Sequence, residues 1–212
     1  MIQSHPNAPE GSVTTAITYQ VKDFGPADAV LCRNVAPLLS FAFSCLRHDI
    51  PCRVAGREIG QGLISSIKKS KAETLPELVV KLNAAQDREM AIALARHSES
   101  AAAAIEDKYE CLSVLIDNAE TVADLLRKIE NLFDDKRRDV LTLSTIHKAK
   151  GMEWEKVFIL DWDLCPCRWA KQPWEQIQER NLQYVAVTRA KLDLIFIKSK
   201  AWQESKLASS PN

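Results

Sequence analysis

The sequence contains no run of about 18 apolar residues, the length that a membrane-spanning helix requires. Its first residues, MIQSHPNAPEGS, also lack the charged and then apolar pattern of a secretory signal. These two absences predict an intracellular, cytoplasmic protein with no membrane partner. In such a reducing compartment the six cysteines are expected to be free thiols.

Net charge is absent as well, because 28 basic residues balance 28 acidic ones. A purely electrostatic nucleic-acid binder would show a basic excess, so any such binding would depend on a local basic track. Cys165 and Cys167 are the only closely spaced cysteines, and no second pair stands at the spacing of a zinc site. No metal site is therefore predicted. Cys32, Cys45 and Cys52 stand in apolar contexts and are expected in the core.

The pattern G-x-x-x-x-G-K-[ST], whose backbone cradles nucleotide phosphates, occurs nowhere in the chain. Gly56, Gly60 and Gly62 lack the trailing lysine of that pattern, and we interpret them as turn and helix-packing glycines. No acidic pair of the magnesium-binding type follows an apolar strand at a suitable place. The sequence therefore lacks both the phosphate-cradling loop and the acidic pair that accompany this kind of nucleotide site.

Short apolar runs with polar ends predict the strands of a buried parallel sheet. A strand over 29–32, a helix over 36–47 and a strand over 51–55 would form a right-handed crossover. In the last predicted helix, Ile177, Leu182 and Val185 are expected to point inward. The remaining strands are predicted over 14–21, 140–143, 157–160 and 193–198, and the remaining helices over 59–69 and 175–188.

Residues 73–134 differ in composition from the rest of the chain. They contain no glycine and a single proline, Pro76, while Ala, Leu, Glu and Lys dominate. Apolar residues at helical spacing predict three helices in this stretch. The predicted division is therefore an α/β domain over 13–72 and 135–200, an all-helical insertion over 73–134, and flexible tails over 1–12 and 201–212.

The stretch TIHKAKGMEWEKVFI (145–159) joins two of the predicted strands through a polar loop. Thr145 offers a hydroxyl, the lysines offer positive charge, and Gly151 lets backbone N–H groups approach a ligand closely. Glu153 could accept a hydrogen bond from a sugar hydroxyl. These residues suit a phosphate-bearing ligand on a rim loop of the sheet. A solvated loop around a glycine turn fits the same spacing equally well.

This stretch resembles motif V of the UvrD/Rep-like superfamily one DNA helicases, and ERNLQYVAVTRAK (179–191) resembles their motif VI. AVLCRN (29–34) and IPCRVAGREIG (50–60) are similar to the start of the second RecA-like domain of those helicases. The resemblance implies an α/β fold, a RecA-like parallel sheet flanked by helices. It also implies the C-terminal motor domain of an ATP-dependent 3′–5′ DNA helicase.

The resemblance assigns one group of residues to ATP. Arg189 would be the catalytic residue that contacts the γ-phosphate, Glu153 would meet the ribose, and Gly151 would shape that loop. Glu179 would orient Arg189 or the motif V loop, and Tyr184 would pack. Without the motif, a surface ion pair of Arg189 with Glu179 or Asp193 would be the simpler interpretation.

A second group of residues is assigned to single-stranded DNA. Thr145, His147 and Lys148 would contact its backbone, which carries no sequence information. We expect Thr145 to share one exposed edge of the sheet with the residues assigned to ATP. Three nearby tryptophans, 162, 169 and 174, could stack on bases, but packing against the sheet is the favoured interpretation.

The N-terminal RecA-like ATPase domain of such a motor is not recognised in this sequence. The resemblance therefore implies that ATP and Mg²⁺ bind only together with that domain, which is an expected partner beside single-stranded DNA. The chain alone is expected neither to hydrolyse ATP nor to unwind DNA. The alternative is a non-catalytic DNA-binding or partner-binding module derived from a helicase.

Overall fold

A computed structural model of the chain describes residues 10–199, and the expected flexibility of residues 1–9 and 201–212 lies outside them. The described strands are β1 (Ser12–Thr15), β2 (Ala29–Cys32), β3 (Cys52–Val54), β4 (Leu141–Thr145), β5 (Trp154–Leu160) and β6 (Ala190–Ile197). The α-helices are α1 (Val35–Arg47), α2 (Arg57–Ser70), α3 (Leu75–Ala95), α4 (Glu99–Asp117), α5 (Val122–Leu132) and α6 (Pro173–Val187). All pairings in the sheet are parallel, in the order β1-β6-β5-β2-β4-β3.

The central strands are apolar on both sides, as a parallel sheet between two layers requires. In β2, Val30 and Cys32 enter one core, while Ala29 and Leu31 enter the other. All four residues of β2 are therefore fully buried. The predicted α/β class with a RecA-like parallel sheet is confirmed.

The larger core lies between the sheet and helices α1 to α5. Leu78, Leu112 and Leu125, from the three helices of the predicted insertion, belong to the same apolar cluster as Val30. The Asp107 carboxylate on α4 also accepts hydrogen bonds from the first backbone N–H groups of α1, at 3.0 Å from Val35 N. Such a cap satisfies donors that the helix itself leaves unpaired. The helical segment is therefore bonded into the α/β unit.

The N-terminal strand is the element whose prediction was wrong. A strand was expected over 14–21, but β1 covers Ser12–Thr15, so Ser12 also belongs to the sheet and not to the tail. β1 pairs with β6 at the sheet edge, and the last ladder bond runs from Ala16 N to Phe196 O. Because β6 ends at Ile197, the chain beyond Ala16 has no strand left to pair with.

Two glycines of α2 have different surroundings. A Cβ at Gly60 would lie 2.8 Å from the Cβ and Cγ of Phe133, whereas a Cβ at Gly62 would meet no atom within 4 Å. Gly60→Ala should therefore destabilise the protein by about 1–3 kcal/mol through overpacking. Gly62→Ala should stabilise it by about 0.5–1 kcal/mol through helix propensity. Urea denaturation of the two variants measures both effects, and equal shifts would contradict the packing role of Gly60.

Among residues 10–199, no helix combines the length and the apolar character that crossing a bilayer demands.

Candidate functional site

The loop between β4 and β5 (146–153, the crossover loop) runs from the carboxyl ends of the parallel strands to their amino ends. We call these two sides of the sheet the carboxyl edge and the amino edge. Thr145 at its start is level with Cys32 at the carboxyl end of β2, and Leu31 is level with Ile159 near the end of β5. β5 begins at Trp154, five residues before Ile159. At about 3.3 Å per residue, its start lies roughly 17 Å from the carboxyl ends of the strands. The crossover loop therefore starts at the carboxyl edge and returns to the amino edge.

The prediction that Thr145, Glu153 and Arg189 share one edge is wrong. β4 and β5 are parallel, and β2 lies between them, so the chain leaving the end of β4 must travel back before β5 can start. Ile146 and Ala149 are buried in the smaller core and fix the loop against the sheet. Two edges, and not one, carry the candidate residues.

The amino edge holds Arg189, directly before β6. Its guanidinium donates to the carbonyls of Val185 and Met152 and to Thr188 Oγ1, each at 2.9 Å. Its carbonyl accepts from Trp154 N at 3.0 Å. Arg189 is half-buried, so part of the fork of donors faces solvent.

Glu153 lies beside Arg189 on the same edge. Its carboxylate is exposed and stands 3.7 Å from Lys191 Nζ. Gly151 turns the crossover loop with φ +80°, a conformation that side chains disfavour, and a Cβ there would meet no atom within 4 Å. Backbone conformation, and not lack of space, therefore calls for glycine at this position.

The carboxyl edge holds Thr145 and His147. Thr145 is buried, and its Oγ1 accepts the N–H of Lys148 at 3.3 Å. The ammonium group of Lys148 pairs with Glu58 on α2. His147 is exposed, and partial desolvation together with the nearby Arg33 guanidinium lowers its pKa below the usual value. His147 is therefore neutral at pH 7 and can donate one ring N–H.

A groove of about 980 Å³ opens at the carboxyl edge between α4, α6 and the loop that follows β5. Its basic lining residues are Arg33, His147 and Lys150, which follow β2 and β4, and Arg168 from the loop after β5. Glu106 and Glu110 of α4 also line it. The sequence reasoning did not find this acidic lining, because it comes from the predicted insertion and approaches the sheet only through tertiary packing.

Glu179 was expected to orient Arg189 or the motif V loop, or to form a surface ion pair with Arg189. Both assignments to Arg189 are wrong, while the orientation of the motif V loop stays a prediction. Arg33 Nε donates to both Glu179 carboxylate oxygens at 3.1 Å, and Arg33 Nη2 donates to Oε1 at 2.8 Å. Cys167 N donates to Oε2 at 2.9 Å. Arg189 follows Glu179 by ten residues, about 15 Å along a helix, so the carboxylate cannot reach it.

Burial alone would raise the pKa of Glu179, but the hydrogen bonds from Arg33 and Cys167 outweigh it and hold the pKa below the usual value. The carboxylate therefore stays ionised at neutral pH. It connects the end of β2, helix α6 and the loop after β5 into one network. This network forms the floor of the groove, where Arg33 and Glu179 are both lining residues.

Two residues of α6 expected to be inside are exposed. Tyr184, predicted to pack, is 59% exposed, and Ile177, predicted to point inward, is 49% exposed. Leu182 is buried as expected, and Val185 is half-buried. Helix α6 covers only the smaller core, so one narrow stripe of it is enough to seal that face.

The three tryptophans have different surroundings. Trp162 packs edge-on against Phe196, with ring centroids 5.4 Å apart. Trp169 is half-buried, and its Nε1 donates to Glu106 at 3.0 Å. Trp174 is 56% exposed and lines the groove. The packing interpretation therefore holds for Trp162 and does not hold for Trp174.

The cysteines are free thiols throughout residues 10–199, and Cys32, Cys45 and Cys52 are buried as expected. Burial, followed by the Glu179 carboxylate, raises the pKa of Cys165 to about 12, so this thiol is protonated and donates to Glu179 at 3.6 Å. Within the same residues, no three His, Cys, Asp or Glu side chains are grouped so that they could hold a metal ion.

Comparisons of the sequence with known proteins identify the family of the chain. The sequence model of the UvrD-like helicase C-terminal domain matches residues 29–201. The ATP-dependent DNA helicase UvrD1 of Mycobacterium leprae is 27% identical over 164 residues, which are 70% of this chain and 21% of that relative. UvrD1 helicases of Mycobacterium bovis and Mycobacterium tuberculosis are 36% identical over 78 residues, 33% of this chain and 10% of theirs.

The chain thus spans about a fifth or less of the length of these relatives. The family match, in contrast, extends over most of the chain, from β2 to the end of the described sheet. Together with the parallel sheet, this match establishes that the chain belongs to the family of UvrD-like helicase C-terminal domains.

Proposed function

We propose that this chain is the C-terminal motor domain of an ATP-dependent DNA helicase that moves 3′ to 5′ along single-stranded DNA. One observation carries the proposal. The crossover loop starts beside Thr145 at a groove on the carboxyl edge and ends at Glu153 beside Arg189 on the amino edge. In this proposal residues 13–72 and 135–200 form the motor domain, and residues 73–134 are an insertion that covers one face.

The amino edge would form one wall of the ATP site. The guanidinium of Arg189 is a rigid fork that suits phosphate oxygens, and it would stabilise charge on the γ-phosphate during transfer. Glu153 would accept from a ribose hydroxyl, and Gly151 would set the shape of the loop. Residues 10–199 offer no carboxylate cluster for Mg²⁺, so the ATP phosphates and the partner domain would hold that ion.

The carboxyl edge would contact the DNA backbone through Thr145, His147 and Lys148. His147 would donate its ring N–H to a phosphate, and Lys148 would exchange Glu58 for one. None of these contacts distinguishes one base from another, as a motor on arbitrary sequence requires. As the pH falls through the lowered pKa of His147, protonation should strengthen binding, because the imidazolium adds a charge that the phosphate favours.

The crossover loop would couple the two edges. Arg189 holds its Met152 carbonyl, and three residues earlier Ala149 is anchored in the core behind the DNA edge. Arg189 must exchange that carbonyl for phosphate when ATP closes the two motor domains. ATP binding would thereby shift the loop population and the DNA contacts with it.

The test is an ATPase assay of this chain alone and of the chain fused to a Walker-type RecA-like domain. We expect no hydrolysis by the chain alone, because it contributes only one wall of the site. The fusion should hydrolyse ATP, and single-stranded DNA should stimulate it. An inactive fusion that still binds single-stranded DNA tightly, with a steep dependence on salt, would favour the non-catalytic module.

A further inference from the structure

We propose that Thr188 is a positioning residue for Arg189, the arginine that the proposed function assigns to the γ-phosphate of ATP. This inference rests on that proposed function and extends it to a side chain that itself touches neither nucleotide nor DNA. The Thr188 hydroxyl holds one edge of the guanidinium against the end of α6. The remaining donors of the guanidinium are thereby presented to a phosphate in a fixed orientation.

The backbone of both residues is held by the last turn of α6. Thr188 is the C-cap residue of this helix, and Arg189 follows it directly. The N–H of Thr188 donates to the Tyr184 carbonyl at 3.2 Å, and the N–H of Arg189 donates to the Ala186 carbonyl at 3.3 Å. The last carbonyls of a helix lack intrahelical partners, so side-chain donors can bond to them. Both side chains therefore start from a fixed point beside free carbonyl oxygens.

The Thr188 hydroxyl uses its proton and its lone pairs for different partners. Oγ1 lies 2.9 Å from the Tyr184 carbonyl oxygen and 3.1 Å from the Val185 carbonyl oxygen, so its proton is donated to the end of α6. Its lone pairs remain for Arg189, whose Nη2 donates to Oγ1 at 2.9 Å. An arginine can only donate, and this hydroxyl accepts. The hydroxyl thus links the guanidinium to the helix backbone.

The guanidinium of Arg189 presents its donors in a rigid plane. Nε and Nη2 lie on one edge of that plane and donate to the Val185 carbonyl and to Thr188 Oγ1, each at 2.9 Å. Nη1 donates to the Met152 carbonyl of the crossover loop at 2.9 Å. When phosphate replaces the Met152 carbonyl, the two bonds to the end of α6 still fix the plane. Such preorganisation is what phosphoryl transfer requires of a group that stabilises developing charge.

The first experiment measures the ATPase kinetics of the fused two-domain protein. Thr188→Val removes the hydroxyl and keeps the shape. We expect kcat to fall by about 2- to 10-fold, the effect of one such hydrogen bond, while KM for ATP stays nearly constant. Thr188→Ser keeps the hydroxyl and should retain most of the rate. Ser66→Ala is the matched control, because Ser66 Oγ donates to the Gly62 carbonyl of its own helix at 3.1 Å, and its kcat should not change.

A double-mutant cycle separates positioning from a general effect on the fold. If Thr188 acts through Arg189, Thr188→Val should cause no further loss in the Arg189→Ala protein. An equal fractional loss in both backgrounds, or an unchanged kcat in Thr188→Val alone, would overturn the positioning role and leave the assignment of Arg189 intact. If Arg189→Ala itself keeps full kcat, the ATP site of the proposed function fails and this inference fails with it.

A second measurement uses the chain alone and needs no ATP. NMR of the arginine side chains reports how fast the Arg189 Nε–H exchanges with water, and hydrogen bonding slows this exchange. Thr188→Val should accelerate it by about 2- to 10-fold, because the guanidinium loses one of its partners. The Nε–H of Arg127 on α5 should exchange equally fast in both proteins. An unchanged rate at Arg189 would show that the hydroxyl does not hold the guanidinium and would reject the inference.

Discussion

Arg189→Ala should lower the ATP hydrolysis rate of the fused two-domain protein by about 10³- to 10⁵-fold, the range for an arginine that stabilises phosphoryl transfer. The loss should fall mainly on kcat, because the guanidinium acts where charge develops in the transition state. Arg189→Lys should recover little activity, since an ammonium group keeps the charge but not the fork. Steady-state kinetics with saturating single-stranded DNA measures both variants.

A structural role for Arg189 predicts a different pattern. Its donors hold Val185, Met152 and Thr188, all at or near the surface, so losing them should cost roughly 1–2 kcal/mol of stability. Arg127→Ala on α5 removes an exposed arginine that pairs with Asp124 and does not line the groove, and it should leave kcat unchanged. An Arg189→Ala protein that is folded and nearly as active as the unmodified one would contradict the assignment to the γ-phosphate.

Glu179→Ala should destabilise the chain by about 3–5 kcal/mol, because it leaves Arg33 poorly solvated and without its counter-charge. The side chains of Arg33 and Glu179 are only 20% and 9% exposed. Cys167 N would lose its acceptor at the same time. Urea denaturation measures the loss, and Glu155→Ala, an exposed glutamate of β5, should remain within about 0.5 kcal/mol of the unmodified chain.

The paired variant Arg33→Met with Glu179→Leu distinguishes the ion pair from packing. Apolar side chains of similar volume can replace a buried pair at little cost, so this variant should be much more stable than Glu179→Ala. If both variants are equally unstable, Glu179 acts through its shape. If Glu179→Ala is as stable as the unmodified chain, the network contributes nothing to the fold.

The pH dependence of stability gives an independent reading of the same carboxylate. The pKa of Glu179 is lower in the folded state than its usual value of 4.5. The folded state therefore binds fewer protons, so the stabilisation is complete above pH 4.5 and is lost as the pH falls through the lowered pKa. Glu179→Gln should flatten the fall in stability over that acidic range.

Motif spacing was enough to find the residues of both edges. The resemblance around residues 145–159 and 179–191 selected Thr145, Glu153 and Arg189, and the structure places all three at the ends of strands. Their assigned roles remain predictions. The apolar runs likewise predicted the parallel sheet, because strands buried on two faces have little choice of residue type. Of the predicted strands and helices, only the N-terminal strand was seriously misplaced, since its length depends on β6.

The contacts of Glu179 could not be predicted in the same way. Its partner Arg33 is 146 residues away and directly follows β2, which lies between β4 and β5 in the sheet. The acidic lining of the groove depends on α4 in the same manner, through contacts such as Glu106 with Arg168, 62 residues apart. A local sequence pattern cannot predict contacts between residues so widely separated along the chain.

The sequence by itself determined the family, the succession of strands and helices, and the residue types available for chemistry. These follow from local apolar periodicity and from motifs whose residues are neighbours in the chain. Only the tertiary structure decided which edge each residue occupies and what it touches. The parallel order of β4, β2 and β5 forces the crossover loop to span the sheet, and this separates Thr145 from Arg189.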